Sequence, residues 1–188
     1  MKKLMNVNDV RNAMVLLGAL CLVACGSSAM GEDPKVELAL TPSSAQLAQC
    51  MPDATLGVTV TPTTEKDGFD SFEIHALSLP PNRAFAVFLL EQAGTPFGAA
   101  EYIGDFSTDK NGDGDNTFKL IVQEAFSSTL VDGKRVRVDL NRIGVWFADP
   151  ADDDFCLGAD SPVTPFDGDN EAGVQAFNSA NADPLPAP

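Results

Sequence analysis

Arg135 to Phe147 reads R-V-R-V-D-L-N-R-I-G-V-W-F. Val136, Val138 and Leu140 alternate with Arg135, Arg137 and Asp139, and Ile143, Val145 and Phe147 follow at once. Side chains change face at every residue of a strand, so this period of two marks two half-buried strands in succession. The pattern recurs in both directions along the chain. Phe72, Ile74 and Ala76 face one way while Glu73 and His75 face the other. Leu56, Val58 and Val60 repeat it between Pro52 and Pro62, and Val36, Leu38 and Leu40 begin it. Ala84 to Leu90 (A-F-A-V-F-L-L) is apolar on both faces and fits a central strand. Phe118, Leu120 and Val122 alternate with Lys119 and Gln123, and Tyr102 to Phe106 looks extended. The breaks have turn chemistry, as in Leu79-Pro80-Pro81-Asn82 and Asp132-Gly133-Lys134. Glu124 to Leu130 reads as a short helical turn, and no long stretch sustains a 3.6-residue period. Seven to nine short strands predict an all-β fold, an antiparallel sandwich of immunoglobulin-like or jelly-roll-like type.

The N-terminus reads as an export signal. Met1-Lys2-Lys3 and Arg11 are positive, and Ala13 to Leu22 is an apolar run too short to span a bilayer. It ends in Leu22-Val23-Ala24-Cys25, which resembles the lipobox of bacterial lipoproteins. That resemblance implies diacylation of Cys25, cleavage before it, and a mature chain held to a membrane by its lipid. Gly26 rather than aspartate after the cysteine points to the outer membrane if the cell is Gram-negative. The expected organisation is therefore a signal peptide over 1–24, a lipidated tether over 25–34, a β-sandwich over 35–178 and a flexible tail over 179–188.

Removing residues 1–24 takes away Lys2, Lys3, Arg11 and Asp9, so the full-chain charge of −15 becomes −17. A chain this acidic repels phosphate backbones and anionic lipid surfaces, which makes nucleic acid a poor partner. Its hydrophobic fraction of 44% is enough for a real core. Of the four cysteines, Cys21 lies in the removed segment and Cys25 would carry lipid. Cys50 and Cys156 remain for a disulfide in an oxidising compartment. Two cysteines and the lone His75 do not make a zinc ligand set.

Ser107 to Phe118 (S-T-D-K-N-G-D-G-D-N-T-F) carries alternating oxygen donors at Asp109, Asn111, Asp113 and Asp115, with Gly114 between the last two. This matches the first half of a calcium loop. The twelfth position, which should be a glutamate, is Leu120, and no flanking helices are visible. Calcium would then need carboxylates from elsewhere, such as Asp149, Asp152, Asp153 and Asp154, or Asp167, Asp169 and Glu171. A plain hairpin connection needs the same residue types for positive φ and local hydrogen bonds.

No catalytic constellation stands out. His75 has no serine elbow or cysteine partner in the sequence, so it reads as structural or surface-exposed. A carboxylate pair for glycoside hydrolysis depends on spatial separation. Trp146 and Tyr102 suit either sugar stacking or the rim of a sandwich core. Two further stretches stand out, Gly144 to Asp152 and Val163 to Gln175, with Cys156 between them. Together with Pro96 to Phe106, they resemble a group of uncharacterised secreted or lipid-anchored β-rich bacterial proteins. The resemblance covers most of the mature domain and brings no activity with it. The sequence thus points away from an enzyme, to an envelope module that binds a protein or glycan or has a structural role. Its alternatives are a calcium-stabilised surface protein and a glycan-acting hydrolase.

Overall fold

A computed structural model describes residues 35–122, 125–165, 170–182 and 185. The signal-peptide and lipobox readings, Cys25 and the tether lie outside these residues.

Among the described residues, ten strands form in chain order. They are β1 (Val36–Pro42), β2 (Thr55–Thr61), β3 (Asp70–Leu77), β4 (Ala84–Leu90), β5 (Ala100–Ser107), β6 (Gly114–Leu120), β7 (Phe126–Val131), β8 (Lys134–Asp139), β9 (Arg142–Phe147) and β10 (Gln175–Asn178). Eight make one antiparallel sheet in the order β5-β4-β9-β10-β1-β2-β3-β6, and β7 pairs only with β8. A short pairing of Thr41 and Pro42 with Asn178 and Phe177 joins its two four-stranded halves. The sheet wraps over the core until its end strands meet, and Asn116 Nδ2 of β6 donates to the Asp105 carbonyl of β5 at 2.6 Å. The result is the expected all-β, sandwich-like fold, nearly closed on itself.

The period-two residues form the interior. Leu56, Val58, Val60, Phe72 and Ile74 from one half face Phe85, Val87, Leu89, Ile143, Val145, Phe147 and Phe177 from the other. All of these are at most 2% exposed. Burying a side chain of this size contributes about 1.5–3 kcal/mol relative to leaving it in water. Phe85 stacks on Phe106 at 5.1 Å and tilts against Phe147 at 5.2 Å.

Short helices trim the ends of the sandwich. Ser44 caps α1 (Ala45–Cys50) by accepting the Leu47 N–H at 3.2 Å, and Leu47 is buried. The four-residue α2 (Thr64–Asp67) stops at Gly68, whose φ of 79° favours glycine. A 3₁₀ turn (Pro150–Asp153) runs into α3 (Asp154–Leu157). α1 and α3 carry Cys50 and Cys156, which form the expected disulfide with a Cα separation of 5.8 Å. Closing a loop of this length is worth about 4–5 kcal/mol in the chain-entropy model.

One expectation needs correction. The helical turn read over Glu124 to Leu130 is instead strand β7 from Phe126 onward. Asp132 and Gly133, both at positive φ, form a turn that folds Val131 onto Lys134, and a paired strand then outweighs weak local helix preference. Within the segment read as a flexible tail, Leu185 is 1% exposed and donates its N–H to the Asn141 carbonyl.

Candidate functional site

The acidic loop between β5 and β6 turns its oxygens on itself. Asp109 Oδ1 accepts the N–H groups of Asn111 at 2.7 Å and Asp113 at 3.1 Å, and Asp109 Oδ2 accepts Asn111 Nδ2 at 3.1 Å. The Asp113 and Asn111 amides, in that order, hold the Asp109 carboxyl below its ordinary range. Asp113 Oδ1 accepts the Ser78 N–H. Asp115 sits opposite His75 in the β3–β6 ladder, its Oδ1 at 2.8 Å from His75 Nδ1. Gly112 is required where it stands: its φ is 85°, its carbonyl accepts the Leu79 N–H, and a Cβ there would strike the Leu79 backbone. The four oxygen-bearing residues thus serve the hairpin and its neighbours. Among the described residues, no three or more His, Cys, Asp or Glu side chains are grouped to hold a metal.

The other acidic residues also have structural partners. Asp149 caps the 3₁₀ turn through the Ala151 N–H at 2.8 Å. Asp152 Oδ1 pairs with Arg83 Nη1 at 2.9 Å. Burial raises the Asp152 carboxyl above its usual value, Arg83 opposes that, and Asp149 adds to it. Asp153 is fully buried and accepts from Ser161 Oγ and the Val174 N–H, fixing the start of β10. Asp70, also fully buried, accepts from the amides of Thr63, Thr64 and Val122 and from the Thr64 hydroxyl. Asp167 and Asp169 lie outside the described residues. Glu171 is exposed.

The arrangement most like a binding site lies on the outer face of β4, β9 and β10. Val145 and Phe147 point inward, so Trp146 points outward. Phe88 alternates with Val87 and Leu89 and lands beside it. Their rings meet edge-on at 5.3 Å, Phe97 meets Trp146 edge-on at 5.0 Å, and Phe88 lies 5.5 Å from Tyr102. Such pairs contribute about 0.5–1.5 kcal/mol beyond burial. The loop after β4 carries Phe97 and closes through bonds of Glu91 to Ala99 and Gln92 to Phe97. Gly144 is needed because a Cβ there would strike Trp146, Leu90 and Gln175.

Two cavities share Phe97, Trp146 and Thr164. One, of about 180 Å³, is bounded by Phe88, Leu90, Gly98, Ala100 and Pro165. The other, of about 420 Å³, is bounded by neutral polar groups that include Ser43, Ser44, Thr95, Gln175 and Asn178. The amides are preset: Gln175 Nε2 donates to the Ala93 carbonyl, and Asn178 Nδ2 donates to Gln175 Oε1. No charged side chain lines either cavity among the described residues. A third hollow, of about 480 Å³, sits beside the disulfide and takes Asp53, Arg83, Asn111 and Phe155 into its wall.

Trp146 and Tyr102 were legible as candidates, and the structure brings both into one aromatic cluster. Phe88, Phe97, Gln175 and Asn178 were not. The signal available for Phe88 was the doubly apolar β4, whose second face needs a cover. No protein-family model, curated protein or solved structure matches the chain.

Proposed function

We propose that the chain is a lipid-anchored, extracytoplasmic binding module of the bacterial envelope, and that its ligand is a neutral glycan held against the Phe88–Phe97–Trp146–Tyr102 cluster. The observation that carries this reading is an uncharged groove on a domain of strong negative charge. A sugar ring has an apolar face for aromatic contact and hydroxyls for amide and hydroxyl partners, which is what the two cavities offer side by side. Tyr102, 46% exposed, is the most open ring of the cluster. No carboxylate lines the groove among the described residues, which favours retention of the sugar over its hydrolysis.

The disulfide is compatible with an oxidising compartment. Anchoring rests on the lipobox at Cys25, and Cys25→Ser should abolish incorporation of labelled lipid.

Trp146 is the only tryptophan, so its emission reports on the groove directly. Titration with soluble neutral gluco- and chito-oligosaccharides should change that emission saturably. Tyr102→Ala should weaken binding by about fivefold. A flat response to both oligosaccharide series would reject the glycan reading.

A further inference from the structure

Among the described residues, the β7–β8 hairpin stands apart from the eight-stranded sheet and lines neither cavity of the groove. Among the described residues it pairs with no other strand, and the Ala125–Val122 and Leu140–Ala125 backbone bonds lie at its base. Yet four of the nine large apolar side chains exposed among the described residues lie on it: Phe126, Leu130, Val131 and Val136. The register places them on both faces. Phe126 and Leu130 share one face with Arg135 and Arg137, while Val131 and Val136 share the other with Lys134. A protein partner docks against one face of a ribbon, whereas a lipid interface surrounds it.

Charge is segregated in the same way. Residues 126–139 carry three cations against two carboxylates, while the rest of 35–188 carries six against twenty-two. One of the hairpin's two carboxylates, Asp139, is already bound to Arg137 Nε at 3.1 Å. Arg137 also lies over the Phe126 ring at 4.2 Å, which keeps a cation beside an apolar surface. Six residues of strand extend about 20 Å. That exceeds the Debye length of about 8 Å at physiological salt, so the tip is screened from the acidic body.

We propose that the β7–β8 hairpin is a membrane-interface arm. Leu130, Val131 and Val136 enter the headgroup layer of an anionic lipid surface, and Lys134 and Arg135 meet its phosphates. The proposal uses neither the lipid on Cys25 nor the aromatic groove, so it stands or falls apart from both. The depth is interfacial because the unpaired edges of a two-stranded ribbon must stay hydrated.

The test uses the full chain carrying Cys25→Ser and Leu130→Trp, with the spectrum of the Cys25→Ser chain, which holds Trp146 alone, subtracted. Vesicles containing phosphatidylglycerol should blue-shift the emission of the introduced tryptophan, brominated lipid should quench it, and pure phosphatidylcholine vesicles should do neither. Each of Lys134→Glu and Arg135→Glu should weaken the response at least about fivefold, and so should high salt. Far-UV circular dichroism of each variant separates loss of binding from loss of fold. An unchanged tryptophan at position 130 in anionic vesicles overturns the proposal. A shift that follows protein concentration instead of lipid also overturns it and makes a second copy of the chain the occupant.

Discussion

β8 and β9 are separated by two residues and have the same pattern of alternation, but they meet opposite surroundings. Five of the six residues of β9 are buried, and five of the six residues of β8 are exposed. β9 lies between β4 and β10 with the core on one face and the aromatic groove on the other, whereas β8 has only β7. Alternation therefore reports that a segment can offer an apolar face. Whether anything covers that face is decided by strands far away in sequence.

Four substitutions test this contrast. The largest effect belongs to β9. Phe147→Ala removes a fully buried ring and should lower unfolding free energy by about 3–5 kcal/mol in urea titrations. A loss below about 1 kcal/mol would mean that β9 is not the packed strand described. Asp70→Ala comes next, since it orphans three backbone amides that the carboxylate holds, and about 3 kcal/mol is expected by the same titration. On β8, Val136→Ala should change stability by no more than about 0.5 kcal/mol, because 43% of that residue is exposed. If it costs as much as Phe147→Ala, the hairpin is covered by something and the contrast collapses.

The smallest effect is at Asp109. Its carboxyl is held below the ordinary 3.8 by loop amides, so its stabilisation is present above that value and is lost as pH falls through the lowered one. The melting temperature of Asp109→Ala should trail the parent at neutral pH, and the gap should close as pH falls through the lowered value. Melts with calcium and with a chelator should superimpose. A calcium-specific rise that Asp109→Ala abolishes would make the loop a metal site after all.

Much of the fold was legible because burial on one face leaves a period-two trace. β4 was legible as an interior strand because both of its faces are apolar. The disulfide followed from elimination among four cysteines. β7 was missed because Ser127, Ser128 and Thr129 give little apolar signal, and its partner strand, not its own composition, makes it extended. The groove was only partly legible. Trp146 and Tyr102 are conspicuous by type, but Phe97 sits on an irregular loop. Gln175 and Asn178 gain meaning only when β10 pairs with β9, which brings together residues roughly thirty positions apart.

The Cys50–Cys156 bond makes most of this domain a covalent ring. β2 through β9 lie inside it, and so do the acidic loop and the β7–β8 hairpin. A protease that nicks the exposed hairpin once opens the ring without releasing a fragment. The cut protein should migrate as one species without reductant and as two with it. The exposed hairpin can therefore be severed while β1 and β10, on either side of the ring, stay linked.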